Sequence, residues 1–345
     1  MAFYDSLFDS LGLSEWCGTD AKGGPMTMAE LLAKSKGAEQ AEIAPWDIPF
    51  PSLDNLHASC NAIPRTRDMT SGVEQFFLDI KSSLQFILDP LTQPLSWALD
   101  GSLWLFVATP WWLLIGLTLL AVQLVTRSSP ITLLVGVMWF FLLFIDHYTF
   151  AVQTMAIIFV CTGLSMLLGV PIGIAMSKSD RLQRGMIPVL DMLQTLPSFV
   201  YLIPLIFLFS ITESKLYGIA IILYAIVPVI RLTDLGIRLV DQDIIEAANA
   251  FGMTARQKLF GVEIPLALPN IMAGVNQTIM MSLAMVVIAS LVSAPGLGVL
   301  VLRGINNLEL GVGLVSGLCI VILAILLDRV SKATLARVNV AQHNS

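Results

Sequence analysis

The sequence predicts an all-α integral membrane protein, and two observations lead to this class. The 345 residues are 56% hydrophobic and only 13% charged, with a mean hydropathy of +0.80, which is more apolar surface than a soluble domain of this length can bury. Seven apolar stretches without Asp, Glu, Lys or Arg approach or exceed the length needed to cross a hydrocarbon core of about 30 Å. They are residues 103–126, 131–145, 149–176, 197–211, 216–230, 270–292 and 310–327. We therefore expect about seven transmembrane helices, of which the second, fourth and fifth are short and need flanking residues to complete them.

The distribution of Lys and Arg predicts the orientation, because cytoplasmic loops of membrane proteins retain positive charge. Every second connection between the stretches is basic, and the others are poor in positive charge. The basic connections hold Arg127; Lys178, Arg181 and Arg184; Arg231, Arg238, Arg256 and Lys258; and Arg329, Lys332 and Arg337. This alternation predicts a multi-pass protein with its N-terminus outside and its C-terminus in the cytoplasm.

The first hundred residues differ in character from the rest of the chain. Residues 1–100 hold six Lys/Arg and fourteen Asp/Glu, whereas the remaining 245 residues hold thirteen and eleven. Apolar residues at helical spacing, such as Val73, Phe76 and Ile80, predict amphipathic helices on the membrane surface. We therefore divide the chain into an acidic, amphipathic extracytoplasmic segment, 1–100, and a transmembrane domain, 101–345. The overall acidity comes from the exported segment and predicts no nucleic-acid partner.

A polar loop at residues 241–265 separates the fifth and sixth stretches. Glu246 and two alanines precede Gly252 by six to four residues, and Pro265 follows the glycine by thirteen. Alanine-rich sequence before a glycine predicts a short helix that ends in a left-handed turn, and a second helix is expected from Thr254. A helix–turn–helix between membrane spans is a protrusion that suits docking in the groove of a partner.

The spacing of this loop resembles the EAA loop of the permease subunits of bacterial ABC importers. Val262 and Ile264 stand where that pattern has Ile and Leu, so both departures keep apolar character. The resemblance implies that the loop couples the chain to an ABC ATPase. The residues carried over to the coupling loop are Glu246, Ala247, Ala248, Gly252 and Pro265.

Four further segments are similar to the permeases of glycine betaine/proline importers, the osmoprotectant branch of that superfamily. They are residues 191–204 (DMLQTLPSFVYLIP), 231–236 (RLTDLG), 272–278 (MAGVNQT) and 285–290 (MVVIAS), within a family core of about 147–333. The resemblance implies a type I ABC importer permease fold in the bacterial inner membrane, working as a homodimer. It also implies two copies of an ATPase that binds ATP and Mg, an extracytoplasmic solute-binding protein, contact with membrane lipid, and a role in osmoprotection.

The residues also indicate which chemistry the chain does not perform. The dipeptide Gly-Lys does not occur, so the chain has no Walker phosphate-binding motif, and we expect the energy for transport from another polypeptide. The predicted spans hold no ionisable group of the kind that proton-coupled transporters use. His57, His147 and His343 stand singly, without metal-ligand spacing. We predict a transport subunit that is not an enzyme and holds no cofactor.

Neutral polar groups in two apolar stretches mark a candidate solute path. Neutral donors, acceptors and aromatic faces suit a zwitterion or a quaternary ammonium, which a fixed charge would hold too tightly. The candidates are Gln194, Pro197, Tyr201, Asn276, Gln277, Thr278 and Ser282. Asn276 or Gln277 is the expected lining residue, with Tyr201 opposite. The same polar residues also suit hydrogen bonds that join helices, and this alternative stays open.

Other features have packing or anchoring roles as their default interpretation. Small residues at four-residue spacing predict close helix packing, and tryptophans at the ends of apolar stretches predict interfacial anchors. The small residues are Ser165, Gly169, Gly173, Gly313 and Gly317, and the tryptophans are Trp104, Trp111, Trp112 and Trp139. Whether Cys17 and Cys60 pair is left open.

The predicted function is ATP-driven import of glycine betaine, proline betaine or choline-like solutes. Two alternatives fit the same composition: an ABC permease for another small nutrient, such as methionine or a sulfonate, and a passive osmolyte channel. A channel needs neutral spans and no ATP site, but it has no use for a docking loop.

Overall fold

The computed structural model describes residues 7, 8, 10–13, 60 and 66–343, and these contain helices but no β-strand. The helices are α1 (Thr66–Ala108), α2 (Trp111–Thr126), α3 (Ser129–Phe144), α4 (Tyr148–Lys178), α5 (Asp180–Thr195), a 3₁₀ turn (Ser198–Tyr201), α6 (Leu202–Leu208), α7 (Ser214–Arg238), α8 (Gln242–Ala250), α9 (Ala255–Lys258), a π-helical segment (Leu259–Glu263), α10 (Ile264–Ala289), a 3₁₀ turn (Ser290–Val292), α11 (Leu297–Asn306) and α12 (Leu310–His343). The all-α class is confirmed.

The chain divides into two compact units, residues 1–82 and residues 83–345. In the first unit, most of the predicted extracytoplasmic segment lies outside the described residues, so the division at 100/101 stays a prediction. Cys60 is disulfide-bonded, while Cys17 lies outside the described residues. In the second unit, Cys161 and Cys319 are free and buried. The features described below belong to the second unit.

The membrane-spanning helices are fewer than the seven expected. Four are long and apolar enough to cross a membrane: α4, α7, the continuous segment Ala255–Val292, and the part Leu310–Thr334 of α12. Two further spans result if α1 is joined to α2, and α5 to the helical segment after it, across sharp bends. The described residues therefore hold four to six spans by length and composition.

Proline interrupts the first predicted span. Residues 103–126 are not one helix, because α1 ends at Ala108 and α2 begins after Pro110, with an angle of 109° between them. Proline has no N–H to donate, and its ring disfavours helical backbone at the preceding residue, here Thr109. The predicted stretch 103–126 is thus divided between two helices, since residues 103–108 complete α1.

The fourth predicted span, residues 197–211, is also broken. Pro197 has extended backbone (φ −54°, ψ 131°) and is followed by a 3₁₀ turn and the seven-residue α6. This segment meets α5 at 105°. The pair α5–α6 is therefore a broken span or a re-entrant loop, a conformation that membrane proteins tolerate where the irregular backbone is enclosed by protein.

Helix α7 is the most buried of the four spans and packs between α4 and α10. A Cβ atom at Gly173 of α4 would lie 2.6 Å from Thr233 Cβ of α7, and one at Gly274 of α10 would lie 3.1 Å from the Cα of Val229. Glycine lets the three backbones approach this closely. The packing role is confirmed for Gly173 and, in the same way, for Gly169.

The remaining packing and anchoring predictions have mixed outcomes. A Cβ at Gly304 of α11 would lie 2.6 Å from the Cα of Gly313, so close packing is confirmed there, while Gly317 faces open space. Trp139 is fully buried against Tyr148, with ring centroids 5.7 Å apart, and it is no interfacial anchor. Trp104, Trp111 and Trp112 are exposed, as an anchoring role requires.

Hydrogen bonds from arginines join two pairs of helices, α7 to α4 and α12 to α2, at the C-terminal turns of α4 and α2. Arg238 of α7 donates to the carbonyl of Met176 in the last turn of α4 (2.9 Å). Arg337 of α12 donates to the carbonyls of Leu124 and Val125 in the last turn of α2 (2.7 Å each). Cationic side chains at helix C-termini satisfy carbonyls that lack intrahelical partners. Helix α10 begins at this same end, which carries the polar loop.

Candidate functional site

The polar loop folds as the helix–turn–helix that its spacing predicts. Asp241 caps α8 by accepting a hydrogen bond from the backbone of Asp243 (3.0 Å). Gly252 ends the turn with φ +74°, the left-handed region that glycine favours. Its N–H donates to the carbonyl of Asn249 (3.0 Å). Glu246 and Ala247 are exposed, and Ala248 is buried.

The second arm of the loop begins with a capping box. The Thr254 hydroxyl accepts from the backbone N–H of Gln257 (3.4 Å), and the Gln257 side chain accepts from the Thr254 backbone (2.9 Å). Lys258 Nζ donates to Asn249 Oδ1 (2.9 Å), which ties the second arm to the first. The helix then continues through a π-helical segment into α10, so Pro265, expected at the end of the loop, lies in the first turn of α10. The second arm of the loop is thus helically continuous with α10.

Apolar side chains project from the loop into solvent. Phe251 is 87% exposed and Phe260 60% exposed, and Ile244 and Met253 are also exposed. Large apolar groups exposed on a polar loop at one end of a membrane protein mark an interaction surface. The sequence reasoning passed over Phe251 and Phe260, although an aromatic residue directly before the turn glycine was a readable signal.

Ionic contacts lie at the base of the loop and between the helix ends beside it. The Glu263 carboxylate, whose side chain is 5% exposed, pairs with Lys178 at the end of α4. Arg238 of α7 pairs with Asp180 (2.7 Å) and Asp234 (2.9 Å), and Asp234 also accepts from Gln183 of α5 (2.7 Å). These contacts join the ends of α4 and α7 to the beginnings of α5 and α10. None of them was predicted, and the partners of the contacts between different elements are 51 to 85 residues apart in the sequence.

The first group of candidate path residues lies at the bend between α5 and α6. Gln194 is half-buried near the end of α5, and Pro197 is exposed at the bend itself. Tyr201 is buried, and its hydroxyl donates to the carbonyl of Leu193 in the last turn of α5. The tyrosine hydroxyl therefore links the two sides of the bend.

The second group lies on α10 and points in several directions. Asn276 Nδ2 donates to Asp328 Oδ1 of α12 (3.2 Å), Gln277 is exposed, and Ser282 is buried and accepts from the Thr162 hydroxyl of α4 (3.2 Å). Thr278 is fully buried, and its hydroxyl has no hydrogen-bond partner among the described residues. No hydrogen bond within residues 66–343 links this group to the one at the bend. Their assignment to one path stays a prediction.

Asp328 of α12, which contacts Asn276 of α10, is a polar residue that was not predicted from the sequence. It accepts from Asn276 and, at 2.9 Å, from Lys332 one turn further along α12. The carboxylate lies directly after the predicted last span, so its contact with α10 could not be read from spacing. Among the described residues, no group of three or more His, Cys, Asp or Glu side chains could hold a metal ion.

A bundle of membrane-spanning helices with an exposed helix–turn–helix at one end agrees with the architecture of a transport permease. The chain belongs to the family of inner membrane components of binding-protein-dependent transport systems, whose sequence profile matches residues 165–340. The match covers the bent segment, α7, the loop and α10 to α12, and it confirms the predicted superfamily.

Curated relatives come from the branch that the motifs resemble. The chain is 47% identical over 190 residues to the glycine betaine/proline betaine transport system permease protein ProW of Escherichia coli, covering 55% of this chain and 53% of that protein. It is 42% identical over 231 residues to the glycine betaine transport system permease protein OpuAB of Bacillus subtilis (66% of this chain, 76% of the relative). It is 37% identical over 254 residues to the glycine betaine/carnitine transport permease protein GbuB of Listeria monocytogenes (70% and 87%). The chain spans about half the length of the Escherichia coli relative.

Among solved structures, the chain is similar in fold to an inward-facing form of the MetNI methionine ABC transporter. The TM-score is 0.51 at 19% sequence identity, over 61% of this chain and 99% of the matched chain. At this identity the likeness concerns the fold alone, and it agrees with the predicted type I permease fold.

Proposed function

We propose that this chain is the membrane-spanning subunit of an ATP-driven importer for glycine betaine, proline betaine or choline-like solutes. The observation that carries the proposal is the loop at residues 241–265, whose exposed apolar tip sits on a base tied to α4 by the ion pair of the buried Glu263 with Lys178. The solute class is supported by the relatives, whose names include glycine betaine, proline betaine and carnitine.

An ABC ATPase is the partner that fits the loop. Phe251 and Phe260 supply apolar anchors for a groove, and the short α8 between Asp241 and Gly252 is a rigid element that a groove can grip. Two ATPase copies would serve a homodimer of this chain, and ATP and Mg would bind to them. Closing of the ATPase pair would move the loop and, through its continuous second arm, α10. The chain itself would perform no bond chemistry.

The solute would arrive from an extracytoplasmic binding protein and pass neutral polar groups. The ring of Tyr201 offers a π-face for a quaternary ammonium, and Asn276 and Gln277 offer neutral hydrogen bonds. The loop end of the bundle carries the arginines and lysines that the charge rule assigns to the cytoplasm. In this orientation the coupling loop and the C-terminus would lie on the cytoplasmic side of the inner membrane, and the N-terminus would lie on the opposite side.

The test is reconstitution of this chain in proteoliposomes with an ABC ATPase and a solute-binding protein from the same organism. Radiolabelled glycine betaine uptake that requires ATP and the binding protein is the expected result. Methionine or sulfonate uptake under the same conditions would reassign the solute. Solute flux without ATP would instead identify a passive channel.

A further inference from the structure

Residues 85–100 of α1 lie along the connection between α6 and α7, at the end of the bundle opposite the coupling loop. Gln85 Nε2 donates to the carbonyl of Leu208, where α6 ends. Asp89 accepts from Lys215 (2.7 Å), and Asp100 accepts from the Ser214 hydroxyl. We call these residues of α1 the strap.

Apolar packing accompanies these polar contacts. A Cβ at Gly218, one turn into α7, would lie 2.6 Å from Leu99 Cδ1 and 3.2 Å from Leu95 Cδ2. Both leucines are buried. The strap therefore contacts the start of α7 over several of its own turns. Gly218 has no side chain, so the two leucines can pack directly against the backbone of α7.

Lys215 is the most constrained group in this contact. Its side chain is only 4% exposed, and Nζ lies 2.7 Å from Asp89 and 3.3 Å from Glu213. The ammonium also lies 5.0 Å from the ring centroid of Phe209. Desolvation and the positive end of the helix dipole both disfavour a buried cation in the first turn of a helix. Lys215 therefore needs these anionic and aromatic partners. Glu213 stands at the N-cap of α7, yet its side chain caps no backbone N–H and pairs with Lys215 instead.

The strap contacts the connection between α6 and α7, and this position limits how the α5–α6 segment can move. The connection 209–213 joins the bent α5–α6 segment to α7, the most buried span. The family profile matches residues 165–340, which include the α5–α6 segment but not the strap. The strap, an element outside the matched region, thus contacts the end of α6 that is farther from the bend.

We propose that the strap is a fixed brace and that Lys215 is the positioning residue that fastens it. Held at this end, the α5–α6 segment moves only at its bend, between Leu196 and Pro197. The inference deepens the proposed function, since ATP-driven transport is the process that would move the bend.

Distance measurement tests the brace directly. Spin labels on cysteines introduced at Leu91 of α1 and Ile211 of the connection, both exposed, report the separation of the strap from the connection. In the complete complex, we expect one narrow distance distribution, unchanged between the nucleotide-free and vanadate-trapped states. Lys215→Met should broaden it. A shift between states in the wild-type protein, or an unchanged narrow distribution in Lys215→Met, would overturn the proposal.

Activity provides the second readout. Lys215→Met should lose the solute-dependent part of ATP hydrolysis, and Lys215→Arg should restore it, because arginine can keep both ion pairs. Asp89→Asn should have a smaller effect, since Glu213 still pairs with Lys215. Arg303→Gln, which removes an exposed ion pair with Glu309 (3.2 Å), is the matched control and should be neutral. Wild-type solute dependence in Lys215→Met would contradict the positioning role. If the wild-type complex shows no solute dependence, the proposed function fails, while the label distances still decide whether the brace exists.

Discussion

Lys178 and Glu263 form an ion pair that joins the last turn of α4 to the base of the coupling loop. The carboxylate is buried and the ammonium is half-exposed, so the pair links a membrane span to the segment that enters α10. Removing only the lysine would leave a buried carboxylate without its charged partner, which costs about 1–3 kcal/mol or more. The contact thus makes the loop mechanically continuous with two spans.

Lys178→Met should therefore lower the thermal stability of the detergent-solubilised protein more than the double variant Lys178→Met/Glu263→Leu does. The double variant leaves no unpaired charge. Thermal unfolding of the two variants and of Glu263→Leu alone measures the difference. Additive effects of the two single substitutions would show that the pair contributes nothing to the fold.

The turn of the coupling loop depends on the backbone of Gly252. Its φ of +74° costs a β-branched residue roughly 1–2 kcal/mol or more, although a Cβ atom at this position would meet no other atom within 4 Å. Gly252→Val should abolish ATP-driven uptake while the protein still reaches the membrane, and Gly252→Asn should retain more activity because asparagine tolerates this region. Gly185→Val is the control, since Gly185 is also unobstructed but has ordinary helical backbone. Equal uptake from Gly252→Val and wild type would show that the turn is not needed for coupling.

Phe251 tests whether the tip of the loop is the docking surface. Phe251→Ser should leave the stability of the isolated chain unchanged, because the ring is 87% exposed, but should weaken binding of the ATPase partner. Co-purification of the partner and ATP hydrolysis measure the effect. Leu308→Ser, at the other end of the bundle and 89% exposed, is the matched control. Equal losses in both variants would indicate a general effect of replacing an exposed apolar side chain.

The solute path is tested by uneven effects along α10. Gln277 is exposed, so Gln277→Ala should leave folding unchanged and reduce uptake only if this residue lines the path. Ser282→Ala should mainly lower the amount of assembled complex, because it removes the hydrogen bond with Thr162. Lysine at Tyr201, Asn276 or Gln277 should repel a quaternary ammonium in a low-dielectric passage. Wild-type uptake, normalised to assembled complex, from all three lysine variants would show that the path runs elsewhere.

Orientation is tested by labelling from one side of the membrane. Cysteine introduced at Leu308 should react with an impermeant maleimide in intact cells, whereas cysteine at Gln257 should react only after permeabilisation. Both positions are exposed, and the native Cys161 and Cys319 are buried. Reaction of both positions from the outside would contradict the orientation derived from charge.

Local chemistry explains which features could be predicted from the sequence. The membrane class follows from composition. The helix–turn–helix of the loop follows from the spacing of glycine, threonine and alanine within about ten residues of one another. Capping and turn preferences act over a few residues, so the turn at Gly252 and the cap at Thr254 were already present in the spacing. The bends at Pro110 and Pro197 were marked by proline, but their angles of 109° and 105° depend on what the helices pack against.

By itself, the sequence determined an all-helical membrane permease with a helix–turn–helix loop between two spans, because hydropathy and turn chemistry are properties of short segments. Only the tertiary structure decided which charges meet. Lys178 finds Glu263 across 85 residues and Lys215 finds Asp89 across 126. Helix packing determines which charged residues meet. Any carboxylate placed at the same position by that packing would pair with the same lysine. The tertiary structure likewise separated Asn276, Gln277 and Ser282 onto different sides of α10, since about 100° of rotation per residue turns neighbours in sequence toward different neighbours in space.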